Sequence, residues 1–198
     1  MTKEYEYLKA RLSSISETFK AILPSDPLEQ ASNDKQDIIK SYILLCHAEF
    51  EKYFEDIACE IIKKAKEKYD SSKETSLPLL HLALMLKKEF TTEDASARLD
   101  KLYSNYRALL DKNHGIKKAN IDEMFAPLGM PISEMTDTYV DTLESFGKKR
   151  GQIAHNGREA LTTTYNFSDE ESTINRLLTE TLTVNILDRI KYKIVFGL

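Results

Sequence analysis

Two side chains suited to phosphate chemistry, Arg150 and His155, lie in the segment 146–157. The guanidinium is a permanent planar cation that binds phosphate oxygens, and the imidazole titrates near neutral pH. Three of the six glycines of the chain fall in the same segment, where the backbone can turn tightly or be approached closely. This segment is therefore the first candidate for a site that handles a phosphate group.

The spacing of Arg150 and His155 leaves two interpretations open. Residues five apart in a regular helix point about 140° away from each other. The two side chains therefore meet only through the long reach of the arginine, or through a bend at Gly147 or Gly151. The alternative is a helix end with a surface arginine and a capping histidine, and spacing alone does not choose between them.

Composition indicates one globular domain over residues 1–198. Hydrophobic residues make up 41% and charged residues 30%, and the net charge of −4 is not that of a strongly basic nucleic-acid binder. Cys46 and Cys59 fall in one helical pattern and predict neither a disulfide nor a zinc site. The N-terminus is polar and no apolar run is long enough for a membrane span, so we expect a cytoplasmic protein without a signal peptide.

Helical periodicity along the chain predicts an all-α fold, a single bundle of about six or seven helices. The pattern is broadest over 34–69, which predicts a helix packed on two sides. The expected helices are 3–22, 34–69 with Asp34 as N-cap, 78 to about 89, about 91–112, 119–126, about 133 into the segment 146–157, and 168–190 with a capping box at Ser168. Residues 192–198 alternate and are expected to be extended.

The remaining ionisable side chains show weaker signals. His47 lies on the apolar stripe of the 34–69 helix, which fits either a buried structural histidine or a site residue. Glu51 and Glu55 share one helix face and on their own are ordinary solvated carboxylates. His114 is expected in a loop, without chemistry. The four histidines lack metal-ligand spacing, and the common phosphate, dinucleotide and hydrolase motifs are absent, so no metal and no cofactor is predicted.

Three pieces of the sequence resemble HEPN domains (higher eukaryotes and prokaryotes nucleotide-binding) of the RiboL-PSP-HEPN branch. They are 143–155, which contains an Arg-x4-His signature, 42–57 and 113–129, and together they extend over roughly 35–160. The resemblance implies an all-α fold. It also implies a homodimer that brings two Arg-x4–6-His motifs into one cleft, without a metal.

The same resemblance implies an RNA-cleaving enzyme of defence, toxin–antitoxin or RNA-processing type. Carried over, His155 performs acid–base chemistry on a ribose 2′-OH or the leaving oxygen, and Arg150 holds the scissile phosphate. Glu51 matches an acidic position of the family and orients one of these two side chains. The expected products are a 2′,3′-cyclic phosphate and a 5′-hydroxyl end.

Further substrate contacts are expected around these residues, at His47, Lys149, Gln152 and Asn156. The chain departs from the family pattern at Gly151, where many active HEPN ribonucleases have Asn, Asp or His. Either glycine lets the backbone approach the RNA, or a polar helper is missing and activity is reduced. Gln152 and Asn156 are the available substitutes.

Three functions therefore stay open. The first is a homodimeric, metal-independent endoribonuclease controlled by a separate antitoxin or defence partner. The second is a non-catalytic HEPN module that binds RNA, a nucleotide or a protein. The third is a helical interaction protein in which Arg150 and His155 are structural. RNA cleavage separates the first two, and the effect of His155→Ala on the melting temperature identifies the third.

Overall fold

The computed structural model describes residues 2–85, 95–130, 133, 135–155 and 163–183, and seven α helices run through these ranges. They are α1 (Lys3–Ile22), α2 (Asn33–Ser72), α3 (Leu77–Met85), α4 (Ala95–Leu110), α5 (Lys118–Phe125), α6 (Asp137–His155) and α7 (Phe167–Thr183). Short 3-10 helices occupy Glu29–Ala31 and Ala126–Leu128. The described ranges contain no strand, which confirms the all-α prediction. None of their helices combines the length and apolarity that crossing a membrane requires.

Helix α1 begins and ends where its sequence pattern predicts. The Thr2 hydroxyl accepts a hydrogen bond of 3.1 Å from the Tyr5 amide and so caps the first turn. Leu23 leaves the helix in an extended conformation just before Pro24. The predicted apolar stripe is buried in full: Tyr5, Leu8, Leu12, Ile15 and Phe19.

Helix α2 is the longest element, with 40 residues, and extends beyond the predicted 34–69 at both ends. Its N-cap is Ser32, so the prediction of Asp34 as the cap is wrong. Asp34 lies in the first turn instead, where a carboxylate interacts favourably with the helix dipole. At the other end Lys73 adopts a left-handed conformation with φ of 60°, and its amide bonds to the carbonyl of Tyr69.

The middle of α2 forms the centre of the core. Helix α2 contacts each of the six other α helices in the described ranges, which confirms a helix packed on two sides. The stripe predicted along it is buried throughout: Ile39, Ile43, Cys46, Phe50, Phe54, Ile57 and Ile61. Leu45, an apolar residue beside this stripe, lies outside the core and is 47% exposed. Cys46 is buried and Cys59 half-buried, and both are free thiols.

The later helices keep their predicted order but shift at their ends. Helix α6 begins at Asp137 rather than near residue 133. Helix α7 begins at Phe167, because the side chain of Asn166 accepts hydrogen bonds from the amides of Ser168 (2.9 Å) and Asp169 (3.3 Å). The capping box predicted at Ser168 is therefore wrong. The predictions for residues 86–94 and 184–198 lie outside the described residues.

Candidate functional site

Glu51 and His47 form a pair on the inner part of α2. They are one helical turn apart, and Nδ1 of His47 lies 3.5 Å from Oε2 of Glu51. The His47 side chain is 2% exposed, and its ring packs against Phe146 of α6 with 5.8 Å between the centroids. His47 is thus a buried histidine that contacts the Glu51 carboxylate, which agrees with its interpretation as a buried structural histidine.

Arg150 of α6 lies close enough to Glu51 to act on its charge. The pKa of the Glu51 carboxyl is lowered, first by the hydrogen bond from His47 and then by the charges of His47, Arg150 and His114, while burial opposes this shift. Arg150 itself is half-buried. Two of the three predicted catalytic residues are Glu51 and Arg150. The packing of α6 on α2 brings them close enough for their charges to interact.

A third group at this place, His114, was not expected to have any chemistry. It follows α4, and its Nδ1 lies 3.8 Å from Oε1 of Glu51. Asn113 and Asn120 hold its segment by donating their amide groups to each other's oxygens, at 2.9 and 3.1 Å. Gly115, with φ of 133°, allows the backbone to leave the segment in a conformation that other residues rarely adopt. His114 lies in a loop, as predicted, and the structure adds that Glu51 is its neighbour there.

Glu55 lies one turn beyond Glu51 and belongs to the same cluster. Its pKa is raised, first by burial and then by the negative charge of Glu51. One ligand atom from each of Glu51, Glu55 and His114 can be chosen so that all three lie within 4.8 Å of one another. Two carboxylates with opposite pKa shifts and an imidazole thus stand together on one side of α2, next to Arg150.

The two glycines of α6 have different surroundings. A Cβ atom on Gly147 would lie 2.7 Å from Cγ of Lys117, so this glycine allows α6 to pack closely on the start of α5. A Cβ atom on Gly151 would meet nothing within 4 Å. The α helix is continuous through both positions, from Asp137 to His155.

His155 is not brought to the Glu51 cluster. It is exposed at the last residue of α6, and among the described residues no hydrogen bond or ion pair joins it to Glu51 or Arg150. The regular helix between Arg150 and His155 keeps the two side chains about 140° apart. One chain on its own therefore presents Arg150 with Glu51, and His155 separately.

The predicted substrate contacts also fall in different places. Lys149 points to α7, where its ammonium group donates to both carboxylate oxygens of Glu170 (2.6 and 2.7 Å) and lies 5.7 Å from the ring centroid of Tyr165. Gln152 is exposed on α6. Asn156 lies outside the described residues. Of the predicted contacts that fall within the described ranges, only His47 contacts the Glu51 cluster.

Comparison with known protein families gives a match over most of the chain. The sequence profile of the RiboL-PSP-HEPN family matches residues 6–190, which is nearly the whole chain. No curated protein matches, and no solved structure matches. The helical fold, the Arg150–His155 spacing and the acidic residue on α2 agree with the sequence features quoted above for this family. The chain belongs to the RiboL-PSP-HEPN family.

Proposed function

We propose that this protein is a metal-independent endoribonuclease that cleaves RNA in a cleft shared by two copies of the chain. One observation carries the proposal. In a chain of the RiboL-PSP-HEPN family, Arg150 of α6 is close enough to Glu51 of α2 for its positive charge to lower the pKa of that carboxyl. A guanidinium held beside a carboxylate is a fixed cation that can orient and stabilise a phosphoryl group.

In this proposal, each residue has a separate task. His155 removes the proton from a ribose 2′-OH while the 2′-oxygen attacks the phosphorus atom and the bond to the 5′-oxygen breaks. The departing 5′-oxygen takes up a proton. The products are therefore a 2′,3′-cyclic phosphate and a 5′-hydroxyl. Arg150 stabilises the charge that develops on the phosphoryl oxygens. We assign to Glu51, which His47 contacts, the task of orienting the guanidinium through its charge.

The exposure of His155 supports a site built by two chains. In one chain Arg150 and His155 lie about 140° apart around the axis of α6, so the helix by itself does not direct both side chains at one phosphate. We propose that two α6 helices related by a two-fold axis bring the histidine of each chain to the arginine of the other. The open space beside Gly151 is where a second helix or an RNA backbone can approach α6.

The test is RNA cleavage in EDTA by the parent protein and by His155→Ala and Arg150→Ala. We expect the parent to cut RNA with EDTA present and both variants to lose at least about 100-fold in rate, the scale of one general acid–base or electrostatic group. Lys148→Ala is the matched control, because it removes an exposed cation of the same helix whose partner is Glu144. Loss of cleavage in EDTA, or full cleavage by His155→Ala, would rule out the mechanism.

A second function is favoured by one specific observation, the open space at Gly151. The residue after the arginine offers no polar side chain, and nothing else fills its place in the described structure. A non-catalytic HEPN module that binds RNA, a nucleotide or a protein fits this feature. Tight RNA binding without cleavage, unaffected by His155→Ala, would support it, whereas cleavage by the parent protein excludes it.

The cellular role we propose is prokaryotic defence or a toxin–antitoxin system, in the cytoplasm, with a separate antitoxin or defence protein as partner. Family membership supports this role. Induced expression of the parent chain is then expected to arrest bacterial growth, and expression of His155→Ala at the same level is expected not to. Equal growth of both strains would contradict the role.

A further inference from the structure

The cluster of Glu51, Glu55 and His114 is more than a group of acidic residues. Two of its members are carboxylates on adjacent turns of α2, and the third is an imidazole from the segment that follows α4. A donor atom of each lies within 4.8 Å of the others. Oxygen and nitrogen donors from two separate parts of the chain thus converge on one point.

The orientation of Glu51 provides a second, independent observation. His47, 2% exposed, contacts Oε2 of Glu51, and the other oxygen of the same carboxylate faces His114. In metal sites, a carboxylate that binds the metal is typically hydrogen-bonded to a neighbouring residue that does not itself touch the metal. The carboxylate is therefore fixed with one oxygen free to face a ligand.

The charges at this place favour a cation. Glu51 and Glu55 are half-buried carboxylates that face each other one turn apart, and like charges at this spacing repel. The charges of Lys52 and His114 offset part of this repulsion at Glu55, but burial and the charge of Glu51 still raise the pKa of its carboxyl. A divalent cation between the two carboxylates removes their repulsion.

The donor set indicates the class of metal. Two carboxylate oxygens and one imidazole nitrogen suit first-row divalent ions such as Zn²⁺, whereas Mg²⁺ and Ca²⁺ prefer oxygen alone. Donors around tetrahedral Zn²⁺ at about 2.1 Å lie about 3.4 Å apart. The distance of 3.8 Å between His114 Nδ1 and Glu51 Oε1 is near this value, and the 71% exposed His114 side chain is free to close the difference.

We propose that Glu51, Glu55 and His114 form a binding site for a divalent cation of the Zn²⁺ class. Binding itself does not depend on the proposed function. A consequence that does rest on the proposed function is regulatory: a cation on Glu51 weakens the attraction between this carboxylate and Arg150, so the occupied site slows RNA cleavage.

The experiment is titration of the chelator-treated full chain with Zn²⁺ alone, without RNA, by calorimetry. We expect one Zn²⁺ per chain, with affinity lowered at least about 100-fold in Glu55→Gln and in His114→Ala, because each removes one of three ligands. Two controls are expected to bind like the parent. Glu60→Gln changes another carboxylate of α2, paired with Lys64, and His155→Ala removes the exposed imidazole of α6.

Circular dichroism melting shows that each variant is folded before it is titrated. A parent chain that binds no Zn²⁺ overturns the proposal, and so do Glu55→Gln and His114→Ala variants that bind as tightly as the parent. Because no RNA is present, these outcomes are separate from failure of the proposed ribonuclease. With Co²⁺ as the probe, a visible absorption band that is lost in both variants gives the same answer.

Discussion

Nδ1 of the buried His47 lies 3.5 Å from Oε2 of Glu51, one turn further along α2. This contact sets the state of the whole cluster, because it favours the ionised form of Glu51 and fixes the direction of its carboxylate. The pKa of Glu55, one turn beyond, is shifted in the other direction, because burial and the charge of Glu51 both raise it. The two carboxylates should therefore respond to pH in opposite ways.

We predict that Glu55→Gln raises the melting temperature at pH 7 by about 1–4 °C. A carboxyl whose pKa is raised by folding costs stability when it ionises, and that cost is absent at low pH. The gain should therefore disappear as the pH falls below about 4, where the unfolded carboxyl is also protonated. Calorimetry between pH 3.5 and 7.5 measures this.

Glu51→Gln is the matched variant, with the opposite sign. The pKa of Glu51 is lowered by folding, so its contribution is present above the ordinary pKa of 4.5 and is lost as the pH falls through the lowered value. Glu51→Gln should lower the melting temperature at pH 7 and approach the parent in acid. Shifts of the same sign in both variants at pH 7 would contradict this account of the cluster.

The two glycines of α6 should respond differently to alanine. Gly147→Ala places a Cβ atom 2.7 Å from Cγ of Lys117, which forces a shift and should destabilise the fold by about 1–3 kcal/mol. Gly151→Ala meets no neighbour and should stabilise the helix by about 0.5–1 kcal/mol. Urea unfolding of both variants gives the comparison. Equal effects would mean that α6 and the Lys117 backbone are not in close contact.

Gly151→Ala also tests whether RNA cleavage requires the open space beside Gly151. The variant keeps the chain folded while it adds one methyl group to the surface where RNA or a second copy is proposed to approach. A fall in RNA cleavage without a fall in stability would support close approach at Gly151. Cleavage equal to that of the parent would show that this surface is not used closely.

Lys149 is expected to stabilise the fold through Glu170. Glu170 is 4% exposed, and both of its oxygens accept from Lys149, so Lys149→Met leaves a buried carboxylate without this partner. We predict a loss of about 1–3 kcal/mol, in part recovered by the double variant Lys149→Met with Glu170→Met. Thermal melts of the single and double variants measure the coupling. Additive losses would contradict it.

A site shared by two chains makes cleavage depend on protein concentration. We predict a dimer in light scattering at micromolar concentration, and a rate per chain that falls when dilution separates the copies. Arg150→Ala and His155→Ala should still dimerise, which separates lost chemistry from lost assembly. An active protein that is monomeric at every concentration tested would exclude the composite cleft.

The sequence predicts best what depends on local periodicity. The buried stripes of α1 and α2 follow from spacings of three and four residues, and the end of α1 follows from Pro24, so these features could be predicted without knowledge of the rest of the chain. The contact of His114 with Glu51 could not, because it joins two residues 63 positions apart through the packing of α4 and α5 on α2.

Neighbouring residues show the same limit at a finer scale. Lys149 and Arg150 look alike as adjacent cations, but they point about 100° apart, one to Glu170 of α7 and the other toward Glu51 of α2. Which helix lies on each side of α6 is a tertiary fact. The first residues of α2 and α7 differ from the prediction for a related reason. Two residues able to cap the helix lie close together at each start, Ser32 and Asp34 before α2 and Asn166 and Ser168 before α7.

Helix α2 contacts all six other α helices in the described ranges, and this has a consequence for how the chain opens. A helix that leaves the bundle exposes part of α2, but α2 itself cannot leave while the others stay packed. The amide hydrogens around Phe50, at the buried middle of α2, should therefore exchange with solvent only when the whole domain unfolds. Glu51 follows Phe50 in α2. We therefore expect the backbone that carries Glu51 to be among the parts of the chain whose amide hydrogens exchange most slowly.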